Sequence, residues 1–300
     1  MSELDGTVLS MHGGCYRVLV DGREVVATLR GRLKQRRDRV VVGDRVAIAA
    51  GRSGSWTIEC QRARTSVLRR MRPGGHRGTR VVAANVDRVV VVGAADCPAW
   101  DATLMDRFVA VAEANRLPVV IVINKCDLHP DPGSLGAPLR GAGYPVHYTS
   151  ALDRRGLDQL SEILAASVSL LTGPTGVGKS SLLNALEPGL QLRTQPVGRR
   201  RGRHTTVAAE LHRVGRKGLV ADTPGLQDIR LGGMAPREVA HAFPEFRAYV
   251  GQCRFDNCRH QEEPECAVVQ AAQRGDINWS RLCSYRMLLT EVTEAGRPWE

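Results

Sequence analysis

Residues 167–186 read SVSLLTGPTGVGKSSLLNAL. An apolar run leads into GPTGVGKS at 173–180, which satisfies G-x-x-x-x-G-K-[ST], and a helix-forming stretch follows. Strand, glycine-rich turn and helix in that order bring successive backbone N–H groups to a helix N-terminus, where they hold phosphate oxygens. The expected phosphate site is Gly173, Pro174, Thr175, Gly176, Val177, Gly178, Lys179, Ser180 and Ser181. Lys179 should reach the β- and γ-phosphates, and Ser180 should offer its hydroxyl to Mg²⁺.

Outward from this loop, residues 81–232 alternate apolar strands with helical stretches. Strands are expected at VDRVVVV, LPVVIVI, YPVHYTS, SVSLLTG, VAAELHRV and GLVADTP, and helices at 101–115, 156–166 and 179–187. Near-continuous Val/Ile/Leu runs suit parallel strands covered on both faces, so the reading is a doubly wound α/β domain. ADTPG at 221–225 ends one such strand. Asp222 is placed to hold Mg²⁺ through water, and the Gly225 amide to meet the γ-phosphate. Between the two motifs, VGRRRGRHTTVAAE offers Thr205 and Thr206 as candidates for a switch loop that closes over Mg²⁺.

INKCD at 123–127 ends the strand LPVVIVI. Asp127 can accept hydrogen bonds from two adjacent donors, N1–H and N2–H₂, that guanine presents and adenine lacks. Leaving a buried carboxylate unmatched is expensive, so this pairing selects strongly. Asn124 should brace the loop and contact N7, while the Lys125 stem lies along the base. TSA at 149–151 follows another strand, and the Ala151 amide, beside Thr149 and Ser150, can meet guanine O6. These signals occur in an unusual order. NKCD and TSA precede the phosphate loop, the threonines and DTPG, which is the Ras-like order circularly permuted. An ATP-dependent kinase would share the phosphate loop but has no use for NKCD with TSA.

The flanks differ in composition. Residues 1–65 read as short β segments (CYRVLVDG, REVVATLRG, RVVVGDRVAIAAG, SWTIEC) broken by glycines, the pattern of a small barrel. Residues 66–80, rich in Arg and Gly, read as a basic linker, 81–235 as the permuted nucleotide domain and 236–300 as a metal-binding domain. Cys253, Cys258, His260 and Cys266 give C-x₄-C-x-H-x₅-C, three sulfurs and an imidazole suited to one structural Zn²⁺. Cys283 stands apart and is expected to be packed inside.

The remaining cysteines, at 15, 60, 97 and 126, are scattered singly and suggest no disulfide framework. No apolar run approaches the roughly 20 residues of a membrane span, and the N-terminus has no secretory pattern. A cytoplasmic protein with no membrane partner is expected, and a monomer. The formal net charge of +11 points to polyanionic partners. The barrel region holds only Tyr16 and Trp56 as aromatics. Phosphate contacts from Arg30, Arg32, Lys34, Arg36 and Arg37 should therefore outweigh base stacking.

Taken together, the phosphate loop, NKCD, TSA, RHTT, DTPG and the Cys/His cluster, in this order, resemble the ribosome small-subunit-dependent GTPase A family (RsgA, also called YjeQ or YloQ). RGRLK and VVGDRV sit where that family's barrel motifs fall, and ANVDRVVVV resembles the start of its GTPase domain. The resemblance implies an OB-fold at the N-terminus, a zinc domain at the C-terminus, and GTP hydrolysis to GDP stimulated by the small ribosomal subunit during its late maturation. It also implies contact with ribosomal RNA through the barrel and the zinc domain. His204 corresponds to the histidine implicated in positioning the attacking water. Leu226 stands where Ras-like enzymes carry glutamine. Family members often have three threonines after the histidine. Here Val207 follows Thr205 and Thr206, and Thr206 is the preferred Mg²⁺ ligand.

Overall fold

In a computed structural model, residues 3–34, 39–51, 55–71, 79–192, 209–222 and 234–295 are described. Period-two burial opens the chain. Strands β1 (Leu4–His12), β2 (Cys15–Val20) and β3 (Arg23–Leu29) are followed by one helical turn, α1 (Gly31–Lys34), then by β4 (Arg45–Ala50) and β5 (Trp56–Gln61). They close into a barrel in the order β1-β2-β3-β5-β4, with β1 antiparallel to β4 and β3 parallel to β5. Val8, Val18, Val46, Ile48 and Ile58 fill its interior with no exposure. The strand β1 was not among the segments expected from sequence. Its Gly6 weakens the β signal, yet a Cβ there would stand 2.5 Å from Val18 Cγ1, so the barrel wall requires it.

The described parts of the stretch read as a linker contribute to two strands. β6 (Val67–Met71) and β7 (Thr79–Ala84) pair as an antiparallel ribbon, and the Arg69 amide donates to Asn115 Oδ1 at 3.0 Å. Ribbon and barrel meet at VVGD. Val42 bridges Ala83, the Ala84 amide donates to Val42 O at 2.9 Å, and Asn85 Nδ2 donates to Gly43 O at 2.9 Å. Gly43 has φ +85°, and a Cβ on it would lie 2.0 Å from Ala84 O, so only glycine permits this approach.

All six strands expected in the α/β region form. In chain order the elements are β8 (Arg88–Ala94), α2 (Ala102–Ala114), β9 (Val119–Asn124), α3 (Pro132–Gly141), β10 (Val146–Tyr148), α4 (Leu157–Leu164), β11 (Val168–Thr172), α5 (Lys179–Leu186), β12 (Glu210–Val214) and β13 (Gly218–Asp222). The sheet runs β10-β9-β8-β11-β13-β12, parallel throughout except for the edge strand β12. Alternate residues of β8 serve two cores. Val89 and Val91 pack with α2 and α3, Val90 and Val92 with α4 and α5. Helix α3 was not expected, because PGSLGAPLRG reads as loop. Its Gly136 lets the helix close on β10, since a Cβ would meet Tyr148 Oη at 2.5 Å.

Three helices end the described chain, α6 (Pro236–His241), α7 (Ala267–Arg274) and α8 (Trp279–Ala295). The long α8 lies on α2, joined by a 2.6 Å ion pair between Arg107 and Glu291 and by a buried one between Arg281 and Asp106. Among the described residues no helix is long and apolar enough to cross a membrane.

Candidate functional site

Because β8, β9, β10, β11 and β13 are parallel, the loops that follow them emerge along one edge of the sheet, where open α/β sheets place ligands. The phosphate-loop residues lie between β11 and α5. Gly173 has φ +139° with Val92 O at 2.0 Å from a notional Cβ, and Gly178 has φ +93° with Asn124 Nδ2 at 2.5 Å. Neither position accepts a side chain. Gly178 is also the N-cap of α5, so the cap residue offers no side chain to the helix's first amides, and no acidic residue occupies its first turn. Their partial positive charge faces the loop. Lys179 is buried, and its Nζ donates to Gly173 O at 2.9 Å and Pro174 O at 2.8 Å, which holds the ammonium within the turn.

The NKCD loop is tied to this turn by two side chains. Asn124, 1% exposed, donates from Nδ2 to Val177 O at 2.9 Å and accepts at Oδ1 from Thr149 Oγ1 at 3.2 Å. Lys125, at φ +59°, donates from Nζ to Gly176 O at 2.7 Å and to Cys97 O at 2.5 Å. Backbone bonds join the third loop, Cys126 N to Thr149 O at 3.1 Å and Thr149 N to Ile123 O at 2.8 Å. Thr149 and Ser150 are fully buried, and Ser150 Oγ accepts the Leu152 and Asp153 amides at 3.2 and 3.3 Å. Asp127 is exposed in the turn that follows Lys125. The structure therefore brings together Asn124, Lys125, Asp127, Thr149, Ser150, Ala151 and the phosphate loop. Cys97 O joins them as a partner of Lys125 that the motifs did not reveal, because a backbone carbonyl leaves no residue-type signal.

Asp222 closes β13 in register with Leu171, one residue before Thr172, so its backbone adjoins the start of the phosphate loop. Its side chain, like that of Lys34, lies outside the described residues, as do Arg36, Arg37, His204, Thr205, Thr206, Gly225 and Leu226. Arg30 and Arg32 are exposed on the barrel, where Arg30 pairs with Glu59 and Arg32 donates to Glu59 O at 3.4 Å.

In the C-terminal region, Cys253, Cys258, His260 and Cys266 place their donor atoms within 4.8 Å of one another. The distances are 3.8 Å from Cys253 Sγ to Cys266 Sγ, and 3.4 Å from His260 Nδ1 to each of those sulfurs. Tetrahedral Zn²⁺ with ordinary bond lengths separates sulfurs by about 3.8 Å and sulfur from nitrogen by about 3.5 Å. The four residues thus fit a closed zinc shell. Cys266 is the N-cap of α7, and His260 adopts φ +58° to turn inward. Cys283, expected inside, is exposed on α8, because the buried side of that helix is taken by Leu282, Tyr285 and Leu289.

Known proteins are similar to this chain over nearly its whole length. The model described as RsgA N-terminal domain matches residues 5–58, and the model described as RsgA GTPase matches 61–232. The small ribosomal subunit biogenesis GTPase RsgA of Gemmatimonas aurantiaca is 46% identical over 96% of this chain and 97% of its own length. The protein of the same name from Moorella thermoacetica is 40% identical over 98% and 99%. Among solved structures, YjeQ from Thermotoga maritima superposes with a TM-score of 0.83 at 34% identity, covering 99% of this chain and 100% of that one. YloQ, described as a circularly permuted GTPase, gives 0.78 at 29% identity, covering 99% and 98%. With both domain models matched and relatives aligned nearly end to end, the chain belongs to the RsgA GTPase family.

Proposed function

We propose that this protein binds the small ribosomal subunit as a cytoplasmic monomer and hydrolyses GTP to GDP and phosphate in the subunit's late maturation. The observation that carries the nucleotide reading is the pair of ties from NKCD to the phosphate loop, Asn124 to Val177 and Lys125 to Gly176. They fix the distance between a base-reading loop and a phosphate-reading loop, as a site that grips both ends of one nucleotide requires. The ribosomal part is supported by the names of the relatives and by the basic N-terminal region.

In this reading Asp127 accepts hydrogen bonds from guanine N1–H and N2–H₂, and the Ala151 amide meets O6. The phosphate-loop amides and Lys179 hold the phosphate oxygens. Ser180, Asp222 and Thr206 would hold Mg²⁺, which neutralises charge on the β- and γ-oxygens when bound. His204 positions water for attack on the γ-phosphorus. The bond to the β–γ bridging oxygen breaks, GDP leaves, and the water proton ends on inorganic phosphate. Residues 198–206 and 222–228, which apart from the Asp222 backbone lie outside the described residues, would be the segments through which γ-phosphate governs subunit binding. The four sequence divisions then act as RNA-binding barrel, basic linker, nucleotide domain and zinc domain.

GTP turnover with and without purified small subunits tests the proposal. Stimulation is expected, Lys179→Ala should abolish nucleotide binding, and His204→Ala should spare binding while removing stimulation. If Asp127→Ala leaves the preference for GDP over ADP unaltered, the base assignment is wrong.

A further inference from the structure

The positive charge is unevenly placed. Residues 1–80 carry seventeen Lys/Arg against seven Asp/Glu, whereas residues 236–300 carry eight against ten. Within the C-terminal region four of the eight arginines are committed to ion pairs. Arg247 pairs with Glu113 at 2.6 Å, Arg254 with Glu265, Arg274 with Asp276 at 3.1 Å, and Arg281 is buried between Asp106 and Glu245. Arg237 and Arg259 remain exposed, so the region offers phosphates fewer cations than the barrel end does.

The same region exposes an apolar stripe. Trp279, Cys283, Met287 and Thr290 share one face of α8 and are all exposed, Trp279 by 50% and Met287 by 60%. The opposite face is the core that holds α8 on α2. Arg286 joins the stripe to an acidic rim. Its guanidinium lies 5.9 Å from the Trp279 ring centroid, it donates to Gln261 O, and it lines a depression of about 590 Å³ with Gln261, Glu262 and Glu263.

We propose that this face of α8, with the Glu262–Glu263 rim, docks a basic protein segment that sets an apolar side chain against Trp279 and Met287. Charge complementarity selects that occupant. A nucleic acid would bring phosphates to a surface with an excess of carboxylates, whereas a segment rich in Lys and Arg is drawn to it. An exposed Trp beside a Met supplies the anchor such contacts use. Small-subunit proteins that neutralise rRNA have this chemistry, so the barrel and the C-terminal region would meet different components of one particle. In taking the partner from the subunit, the proposal rests on the ribosomal reading above.

The test uses the full-length protein and purified small subunits with a non-hydrolysable GTP analogue. Cosedimentation of the unaltered protein comes first, and failure there would overturn the ribosomal reading together with the source of the partner. With cosedimentation intact, a diazirine amino acid in place of Met287 should give an adduct that survives ribonuclease and contains a subunit protein. Trp279→Ala should lower subunit affinity about tenfold, and Glu262→Lys should reduce the adduct yield, both with GDP affinity unchanged. An adduct removed by ribonuclease would make the face an RNA contact. No adduct, or full affinity in Trp279→Ala, would leave the face without this role. Either result overturns the proposal.

Discussion

Asn124 shows how much one amide can carry. Its two polar ends are spent on Val177 O and Thr149 Oγ1, so a single buried side chain joins the three loops that follow β9, β10 and β11. Truncating it leaves a carbonyl and a hydroxyl without a partner in a dry site, at about 1–3 kcal/mol. Asn124→Ala should therefore lower the thermal midpoint and weaken GDP binding at least as much as it lowers stability, because the loops lose their spacing. Unfolding and GDP titration of the same variant measure both effects. Unchanged GDP affinity in a destabilised Asn124→Ala would show that the tie supports the fold alone. The motif residues were legible because each encodes a backbone requirement or a charge at fixed spacing: Gly173 and Gly178 at positive φ, Lys179 in the turn. The partner of Lys125 at Cys97 O was not, since any residue supplies a carbonyl.

At the scale of elements, legibility followed the strength of the local pattern. The buried runs of β8, β9 and β11 announced themselves, whereas β1 and α3 were hidden by glycines whose use is tertiary, Gly6 against Val18 and Gly136 against Tyr148. The join of α8 to α2 was hidden for the same reason. Arg281, 1% exposed, donates to Asp106 at 2.5 Å and to Glu245 at 2.6 and 3.2 Å, and its guanidinium lies 4.6 Å from the Phe243 ring centroid. Arg281→Met would strand two buried carboxylates and should lower stability by about 3–5 kcal/mol at neutral pH. Burial pushes the Asp106 carboxyl above its ordinary value, and Arg281 pulls it back. Without the arginine, the native state takes up a proton more readily than the unfolded chain. Stability of the variant should then rise as pH falls from neutral toward the ordinary carboxylate range, so its deficit against the parent narrows. Denaturant unfolding at several pH values decides the sign, and a deficit that widens on acidification would refute it. The Cys/His cluster would be a separate support when it holds zinc. Cys258→Ser should remove the bound metal, expected at one per chain, and lower the melting temperature, with elemental analysis and calorimetry as the measures.

At the scale of the whole molecule, the barrel is fastened to the nucleotide domain rather than strung from it. Gly43 and Asn85 hold one contact, and Arg17 pairs with Glu210 on β12, the strand entered from residues 193–208. Nearly all the net charge sits on residues 1–80, so subunit affinity should fall steeply with salt through this end. Arg32 is exposed and donates only a 3.4 Å bond to Glu59 O, so its loss should leave the barrel folded. Arg32→Gln should weaken subunit binding at low salt and reduce the slope of log affinity against log salt by about one, the change expected for one lost phosphate contact. GDP affinity should not move, because Arg32 belongs to the barrel and the phosphate loop to the sheet edge. Binding isotherms at three or four salt concentrations separate the possibilities. A lower affinity with an unchanged slope would mean that Arg32 touches the subunit without neutralising a phosphate, and an unchanged affinity would place the RNA-facing side of the barrel away from α1.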